Sequence, residues 1–427
     1  MKRLLWLAIF LIALAKFDAQ AQVTAIKAGK LVDPETGTTA TNQVILIEGT
    51  KIKAVGAGLQ IPAGATVIDL SNMTVLPGLF DAHTHVCLTL ASVQPGSKSS
   101  ADRELLISTV FDTTGYRAVL GVANAQSMLA AGFTTVRDVG NAGNYADSDL
   151  RRAIENGIIV GPTIINSGRI IAPYGGQYRG LLQPEKRDVA MPEYIFADTK
   201  DELKKAVREN ILYGAKVIKI VVDDQPYIYS VDDIKSVVEE ATKAGLKVAA
   251  HCATEAGARN AAMAGVASIE HGFAMPNEIL ELAKRNNVTL VGTDFTELIL
   301  RAYGSAPEGH ARYVDRLKRA YRIGVQIAFG TDVVVDVPGY TRGTLSLSMI
   351  ESFVEAGIPN KSILQMMTTN GARLLGVEKE RGAIRPGLAA DIIAAPENPL
   401  DNIQNLKQVS FVMKDGKVFR HGNESSR

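Results

Sequence analysis

From residue 75 onward, apolar residues come in short, near-continuous runs rather than in strict alternation. Eight such runs fall at 75–84, 133–139, 163–168, 216–222, 247–252, 266–271, 288–293 and 325–331. Runs of that kind predict strands buried on both faces. Between them the period changes. Residues 201–213 (DELKKAVRENILY) and 231–244 (VDDIKSVVEEATKA) space their apolar positions as a helix does, with Gly214 and Gly245 just past their ends as stops. Strand-helix units repeated across 77–380 predict an α/β fold, a (β/α)8 TIM barrel.

The flanks have another texture. Residues 23–74 alternate short β-runs with turns: 44–48, Gly49-Thr50, 51–55, then 66–70. The same texture resumes over 381–421, with Gly382, Pro386-Gly387, a run at 391–394 and a hairpin at 411–419 turning through Asp415-Gly416. Neither flank alone can bury a good core. Residues 22–76 and 381–427 are therefore expected to build one small β-sandwich from both chain ends. Two connections are long, 86–118 and 169–198. Both leave the C-terminal ends of predicted strands, where barrel active sites sit.

The first residues are not read as fold. Lys2 and Arg3 precede an apolar stretch at 4–15, and Ala19-Gln20-Ala21 gives a small-x-small cleavage site. A signal peptide at 1–21 is expected, with a mature chain that begins at Gln22, is exported to a periplasm and leaves the membrane on cleavage. No later apolar run approaches transmembrane length. Over the 427 residues, 46 Lys+Arg balance 45 Asp+Glu, which gives no field for gripping nucleic acid or a membrane surface. Two cysteines cannot form a disulfide framework, and Cys87 and Cys252 read as small buried thiols. The expected partner is a small-molecule substrate.

Four of the six histidines fall at the C-terminal ends of predicted strands. His83 and His85 lie in D-A-H-T-H, His251 closes the fifth run and His271 the sixth. Residues i and i+2 of a strand share a face, so His83 and His85 can hold one ion between them. Asp332 follows the eighth run in G-T-D, and Lys219 lies inside the fourth, where a buried cation is costly unless paired or changed. Singly these are weak signals: His-x-His arises by chance, and an Asp after a strand is commonly a helix N-cap. Together they put polar groups at the ends of several strands in a barrel whose interior should be apolar. His310 and His421 read as plain surface residues.

Metal chemistry makes sense of the set. Neutral imidazoles and a carboxylate suit Zn²⁺, with a position left open for water. A neutral Lys219 amine can add CO2 to become a carboxylate able to bridge two ions. A hydroxide shared by two ions is a strong nucleophile at neutral pH. Asp332 beside it can take the proton and pass it to a leaving amine.

With D-A-H-T-H (81–85), V-I-K-I (217–220), H-C-A-T (251–254), I-E-H-G (269–272) and G-T-D (330–332), the sequence resembles the metal-dependent amidohydrolase superfamily. The resemblance extends to G-A-I-R-P-G-L-A-A-D-I-I (382–393). T-T-V-R-D-V-G (134–140) and Y-G-A-K-V-I-K-I (213–220) resemble the imidazolonepropionase-like branch of Xaa-Pro dipeptidases and related carboxypeptidases, including bacterial ochratoxin-A-hydrolysing amidohydrolases. The resemblance implies two Zn²⁺ per chain: His83, His85 and Asp332 on the first, His251 and His271 on the second, and carboxylated Lys219 bridging with a hydroxide. It also implies a homo-oligomer. One departure stands out: many relatives have Gly-Gly-His after the third strand, and here it is Gly175-Gly176-Gln177.

For the substrate, Tyr227, Tyr229, Arg137 and Gln177 are the candidate contacts. Tyrosines in a surface loop and an Arg137–Asp138 ion pair are the bland readings beside them. The leading expectation is a binuclear zinc hydrolase of N-acyl amino acids or dipeptides with a free C-terminal carboxylate, with ochratoxin A cleaved to ochratoxin alpha and phenylalanine as one form of that reaction. A deaminase or cyclic-amide hydrolase on the same scaffold is the alternative, and a non-catalytic periplasmic binding protein is the alternative from another class.

Overall fold

The computed structural model describes residues 23–93, 100–178, 188–224, 226–422 and 424–425. The expected leader lies outside the described residues. Four strands open the chain: β1 (Val23–Asp33), β2 (Thr38–Glu48), β3 (Lys51–Ala57) and β4 (Thr66–Pro77). The barrel region follows with β5 (Leu79–Thr84), β6 (Phe133–Asp138), β7 (Thr163–Asn166), β8 (Ile170–Ala172), β9 (Tyr194–Phe196), β10 (Ile218–Val221), β11 (Val248–Cys252), β12 (Ser268–His271) and β13 (Thr289–Val291). The chain closes with β14 (Ile392–Ala395), β15 (Phe411–Lys414), β16 (Lys417–His421) and β17 (Glu424–Ser425).

Both chain ends join one sheet, ordered β17-β16-β15-β14-β4-β1-β2-β3 among the described residues. The seam is β14 against β4, antiparallel, with Ile393 opposite Leu76. The sheet folds over on itself: Ile52 N–H donates to Leu388 O at 2.9 Å, and a bridge joins Lys51 to Ala389. Ile26, Ile45, Ile47, Val75, Ile392, Phe411 and Met413 fill the space so enclosed. The predicted hairpin forms with Asp415 and Gly416 at φ 46° and 75°, the mirror-image turn that suits a two-residue loop. A side chain at Gly416 would sit 2.2 Å from Gly49 O, so only glycine fits.

The barrel strands are parallel, and β5, β6, β10, β11 and β12 are buried throughout, as apolar runs require. Order runs β5-β6-β7 in one piece and β8-β10-β11-β12-β13 in the next. The expected third strand at 163–168 is strand only over β7, and past the turn at Gly168 (φ 68°) the short β8 follows. The Asn166 carbonyl still accepts from Lys216 N at 2.7 Å, which closes that gap. The eighth strand, expected at 325–331, is nearly unassigned, with one bridge from Leu290 to Ile327. It nonetheless holds its place: Ala328 N–H donates to Leu290 O at 3.1 Å, and Ala82 N–H to Phe329 O at 2.8 Å. Gly330 is pressed on both neighbours, since a side chain there would meet Val291 Cγ1 at 2.3 Å and His83 Cβ at 2.9 Å.

The helices are α1 (Ala101–Phe111), α2 (Thr114–Ala130), α3 (Ala146–Glu155), α4 (Lys200–Leu212), α5 (Val231–Lys243), α6 (Glu255–Ala264), α7 (Asn277–Arg285), α8 (Glu297–Ala302), α9 (His310–Ile323), α10 (Arg342–Ser348), α11 (Ile350–Glu355), α12 (Asn360–Met366) and α13 (Thr369–Leu375). Thr199 and Ser230 close capping boxes at the starts of α4 and α5. The two long connections carry structure of their own: α1 and the start of α2 in one, β8 and β9 in the other. Among the described residues no helix is long and apolar enough to cross a membrane.

Candidate active site

The C-terminal ends of the barrel strands open into a cavity of about 240 Å³. His83, His85, Lys219, His251, His271, Asp332 and Gln177 all line it. The backbone explains their convergence. His83 and His85 share a face at the end of β5, and Lys219 enters from β10. On β12, Ser268 and Glu270 share the inward face, so strand parity would turn His271 away. His271 instead adopts φ 65°, which swings it into the cavity, and Thr293 and Asp332 share that left-handed backbone at 49° and 54°. For a β-branched residue such as Thr293 this is strained. Arg316 holds the turn by donating to His271 O, and to Gly292 O at 3.0 Å.

Each histidine has one nitrogen engaged behind the site. His83 Nδ1–H donates to Glu270 Oε2 at 2.7 Å, and His85 Nδ1–H to Gly140 O at 2.7 Å. His271 Nδ1 meets the Thr293 hydroxyl at 2.8 Å, and His251 Nδ1 lies 3.5 Å from Gln177 Nε2. His83 and His85 turn their second nitrogens to the cavity, whereas the His271 nitrogen nearest Asp332 is that same Nδ1, 3.8 Å from Oδ2. His83 Nε2 lies 3.6 Å and His85 Nε2 3.2 Å from Asp332 Oδ1. His83, His271 and Asp332 place ligand atoms within 4.8 Å of one another. His251 Nε2 lies 3.0 Å from Asp224 Oδ2, and that carboxylate takes a hydrogen bond from Gln177 at 2.6 Å. Neighbouring Asp223 is committed elsewhere, capping the turn after β11 through Ala253 N and Thr254 N at 2.8 and 2.7 Å.

Electrostatics favour the ligand form of most of these groups. His85 is the exception, since burial lowers it but Asp332, Asp138 and the Gly140 carbonyl outweigh that and raise it. Burial, with Lys219 adding to it, pushes His83 down to about 4. Burial and the other imidazoles hold His271 well below the usual histidine range. Burial also lowers Lys219 to about 8. Burial would raise Asp332, but His83, His85 and Lys219 outweigh it and hold its carboxyl below the usual range. The fit to a metal ion rests on a donor set of imidazoles and a carboxylate and on one orphaned atom, His83 Nε2, which is buried without a hydrogen-bond partner. His251 Nε2 makes no hydrogen bond either, but the Asp224 carboxylate lies 3.0 Å from it.

Several expectations need correcting. Arg137 does not face the cavity or pair with Asp138. It is 2% exposed, donates to Ala82 O, to Ser268 Oγ at 2.9 Å and to Glu270 Oε1 at 2.7 Å, and so lies behind His83. Tyr229 is 1% exposed because its hydroxyl donates to Ala197 O at 2.6 Å in the wall of the barrel. Tyr227 is half exposed, packs edge-on against Tyr229 and does not line the cavity. His310 is no surface residue: Phe295 O and Glu355 Oε2 hold its two nitrogens, each at 2.8 Å. His421 is exposed, and both cysteines are free and buried.

Sequence reasoning missed Glu270, Thr293 and Asp224. Glu270 had a signal, since a carboxylate inside an apolar strand demands a partner. Burial would raise it, but Arg137 and His83 hold it well below the carboxylate range.

Residues 74–419 match the amidohydrolase family. An ochratoxinase of Aspergillus niger is 30% identical over 443 residues, covering 94% of this chain and 87% of its own. A crystal structure of a Xaa-Pro dipeptidase with bound methionine in the active site superposes with a TM-score of 0.81 at 30% identity, covering 93% of this chain and all of that one (100%). A 5-methylthioadenosine/S-adenosylhomocysteine deaminase of Carboxydothermus hydrogenoformans is more distant, at 23% identity over 432 residues, covering 91% of this chain and 90% of its own. The chain belongs to the amidohydrolase family and is a hydrolase acting on amide bonds.

Proposed function

We propose that this amidohydrolase is a binuclear zinc enzyme that cleaves N-acyl amino acids or dipeptides with a free C-terminal carboxylate. The observation that carries the reading is the cavity itself, in which four imidazoles, Lys219 and Asp332 converge on one small space. His83, His85 and Asp332 would hold one ion and His251 and His271 the other, with Lys219 between them as a carbamate. Its amine, lowered to about 8 and joined to no carboxylate by an ion pair among the described residues, supports that modification: nitrogen bonds to the carbon of CO2 and a proton leaves. Bound ions would supply an acidified water and a Lewis acid for the amide carbonyl.

The chain's own groups do the rest. The Nδ1 partners Glu270, Gly140 and Thr293 fix three ring orientations, so the open nitrogens stay aimed inward. Asp332, an anion among imidazoles, takes the proton of the attacking water and returns it to the leaving nitrogen. Leu88, Leu90, Leu105, Phe273, Phe295 and Val334 give the cavity apolar walls for the side chains of the substrate. The likeness to an ochratoxinase and a Xaa-Pro dipeptidase, both at 30%, favours amide cleavage over the deaminase alternative, at 23–26%.

The test pairs elemental analysis with a hydrolysis screen over N-acyl amino acids, dipeptides and aminopurine nucleosides. Two zinc per chain with amide cleavage is expected. One ion with ammonia release from the nucleosides would overturn the reading. We also propose export with cleavage before Gln22, read by N-terminal sequencing. We propose self-assembly as well, supported by the exposed Ile107, Val110, Phe111, Tyr116 and Val119 on α1 and α2 and read by sedimentation.

A further inference from the structure

Among the described residues lining the cavity, three carry a buried side-chain atom with no hydrogen-bond partner: His83 Nε2, His251 Nε2 and Asn141 Nδ2. The two imidazole nitrogens belong to the candidate ligand set. Asn141 does not. Its amide approaches the Tyr194 hydroxyl without reaching hydrogen-bond geometry, and that hydroxyl donates to Gln177 Oε1 at 3.2 Å instead. A buried donor left without an acceptor is costly, so such groups call for an explanation.

The chain holds Asn141 there deliberately. Its backbone has φ 53°, a left-handed conformation that asparagine tolerates and most residues do not. The Asn141 carbonyl accepts from Arg117 Nη2. Arg117 is fully buried, and its other nitrogens reach Cys87 O at 2.5 Å and Glu193 Oε1 at 3.2 Å. Preceding Gly140 offers its own carbonyl to His85. The Asn141 amide is thus fixed on a rigid hub beside the first imidazole pair, and it is 7% exposed.

We infer that Asn141 Nδ2 receives the carboxylate of the amino-acid half of the substrate. This rests on the proposed amide-hydrolase reading. A carboxylate is the strong acceptor that such substrates bring, and a charged acceptor repays a buried donor best. Arg137, the cation expected for that task, is spent on Glu270 behind the wall. The side-chain amide of Gln177 is engaged with Asp224 and Tyr194. Outside the candidate ligand set, Asn141 is the donor in the described lining whose buried nitrogen has no partner.

The experiment uses the metal-loaded enzyme with N-benzoyl-phenylalanine and its C-terminal amide. Asn141→Gly keeps the left-handed backbone and removes the donor, and Asn141→Asp turns the donor into an anion. For the free acid, KM should rise about tenfold in the glycine variant and further in the aspartate variant, by the size of a hydrogen bond to a charged group. kcat should change little, and KM for the C-terminal amide should be unmoved. Equal shifts for acid and amide, or none for either, would overturn the inference. Calorimetric binding of the same two compounds decides the matter if neither is turned over. Loss of the acid's advantage in the variants supports the assignment, and an acid that binds no better than its amide to the wild type refutes it. Failure of the wild type to hydrolyse any amide would count against the amide-hydrolase reading alone.

Discussion

Two buried lysines sit in two sheets of this molecule and have opposite surroundings. Lys414, on β15 of the sheet built from the chain ends, is 6% exposed. It donates to Asp391 Oδ1 at 3.1 Å and to the Asp415 carboxylate. Asp391 is satisfied in turn by Arg381 at 2.5 Å and Asp415 N at 2.9 Å. Lys219, on β10, is 2% exposed, and among the described residues no ion pair joins it to a carboxylate. Burial pushes it down to about 8, within reach of neutrality. A buried lysine with carboxylates in contact is a fixed cation that ties strands together. One held away from them is an amine available for chemistry. The same distinction separates a charge cluster that closes on itself from one that leaves valences open.

Breaking the open cluster should have the largest effect. Lys219→Ala should lose at least one ion and nearly all turnover while circular dichroism stays unchanged. Asp332→Asn keeps one coordinating oxygen but cannot accept a proton, so metal should be largely retained while turnover falls by ~10²–10⁴-fold. An Asp332→Asn enzyme with its metal and more than about a tenth of normal turnover falls outside that range and removes Asp332 from the proton-transfer role.

Breaking the closed cluster should be felt in folding instead. Lys414→Met removes one of the two cations that Asp391 and Asp415 share, and Arg381 still reaches both. With Asp415 41% exposed, the loss should be about 1–3 kcal/mol. Urea unfolding reads this directly. Turnover per folded molecule should not change, since β15 contributes nothing to the cavity. A Lys414→Met enzyme that keeps its stability but loses kcat would abolish the contrast between the two lysines.

The support behind the open cluster comes next in size. Glu270→Gln keeps the shape of the contact with His83 but removes the anion that Arg137 balances. Metal affinity should fall by about 10–100-fold, the usual effect of losing a partner behind a metal-binding histidine. Competition with a chelator measures it without reference to turnover. An affinity unchanged in Glu270→Gln would make the Arg137–Glu270 pair a packing device only.

How much of this was legible in the sequence follows from locality. Buried parallel strands announce themselves as apolar runs, and Gly214 and Gly245 stand just past the ends of α4 and α5 where the spacing says. Cavity residues at strand ends were legible because polar groups stand out there. Contacts across the barrel were not. Arg137 reaches Glu270 over 133 residues of sequence, and nothing near either one names the other. His271 enters the cavity through a left-handed backbone that parity would exclude. Strand eight keeps one bridge, and the close approach of Val291 and His83 that requires glycine at 330 is a fact of packing and not of pattern.

The smallest effect concerns a histidine that the sequence placed on the surface. His83 keeps one nitrogen open, whereas His310 has both engaged, by Phe295 O and Glu355. Burial pulls the His310 imidazole down, but the carbonyl and the carboxylate outweigh it and raise it above the ordinary value. A group raised in the folded state binds its proton more tightly there than in the unfolded chain. Its contribution is therefore full below the unfolded value of about 6.5 and fades as pH rises through the folded value. Glu355 is more than half exposed, so solvent screening limits the gain to below about 1 kcal/mol. Urea unfolding of wild type and His310→Gln at pH 5.5 and 8.5 checks the sign. The gap between them should be wider at the lower pH, and metal content should be the same in both. A gap that widens toward pH 8.5 would mean that His310 is held neutral, and the two-partner account of it would be wrong.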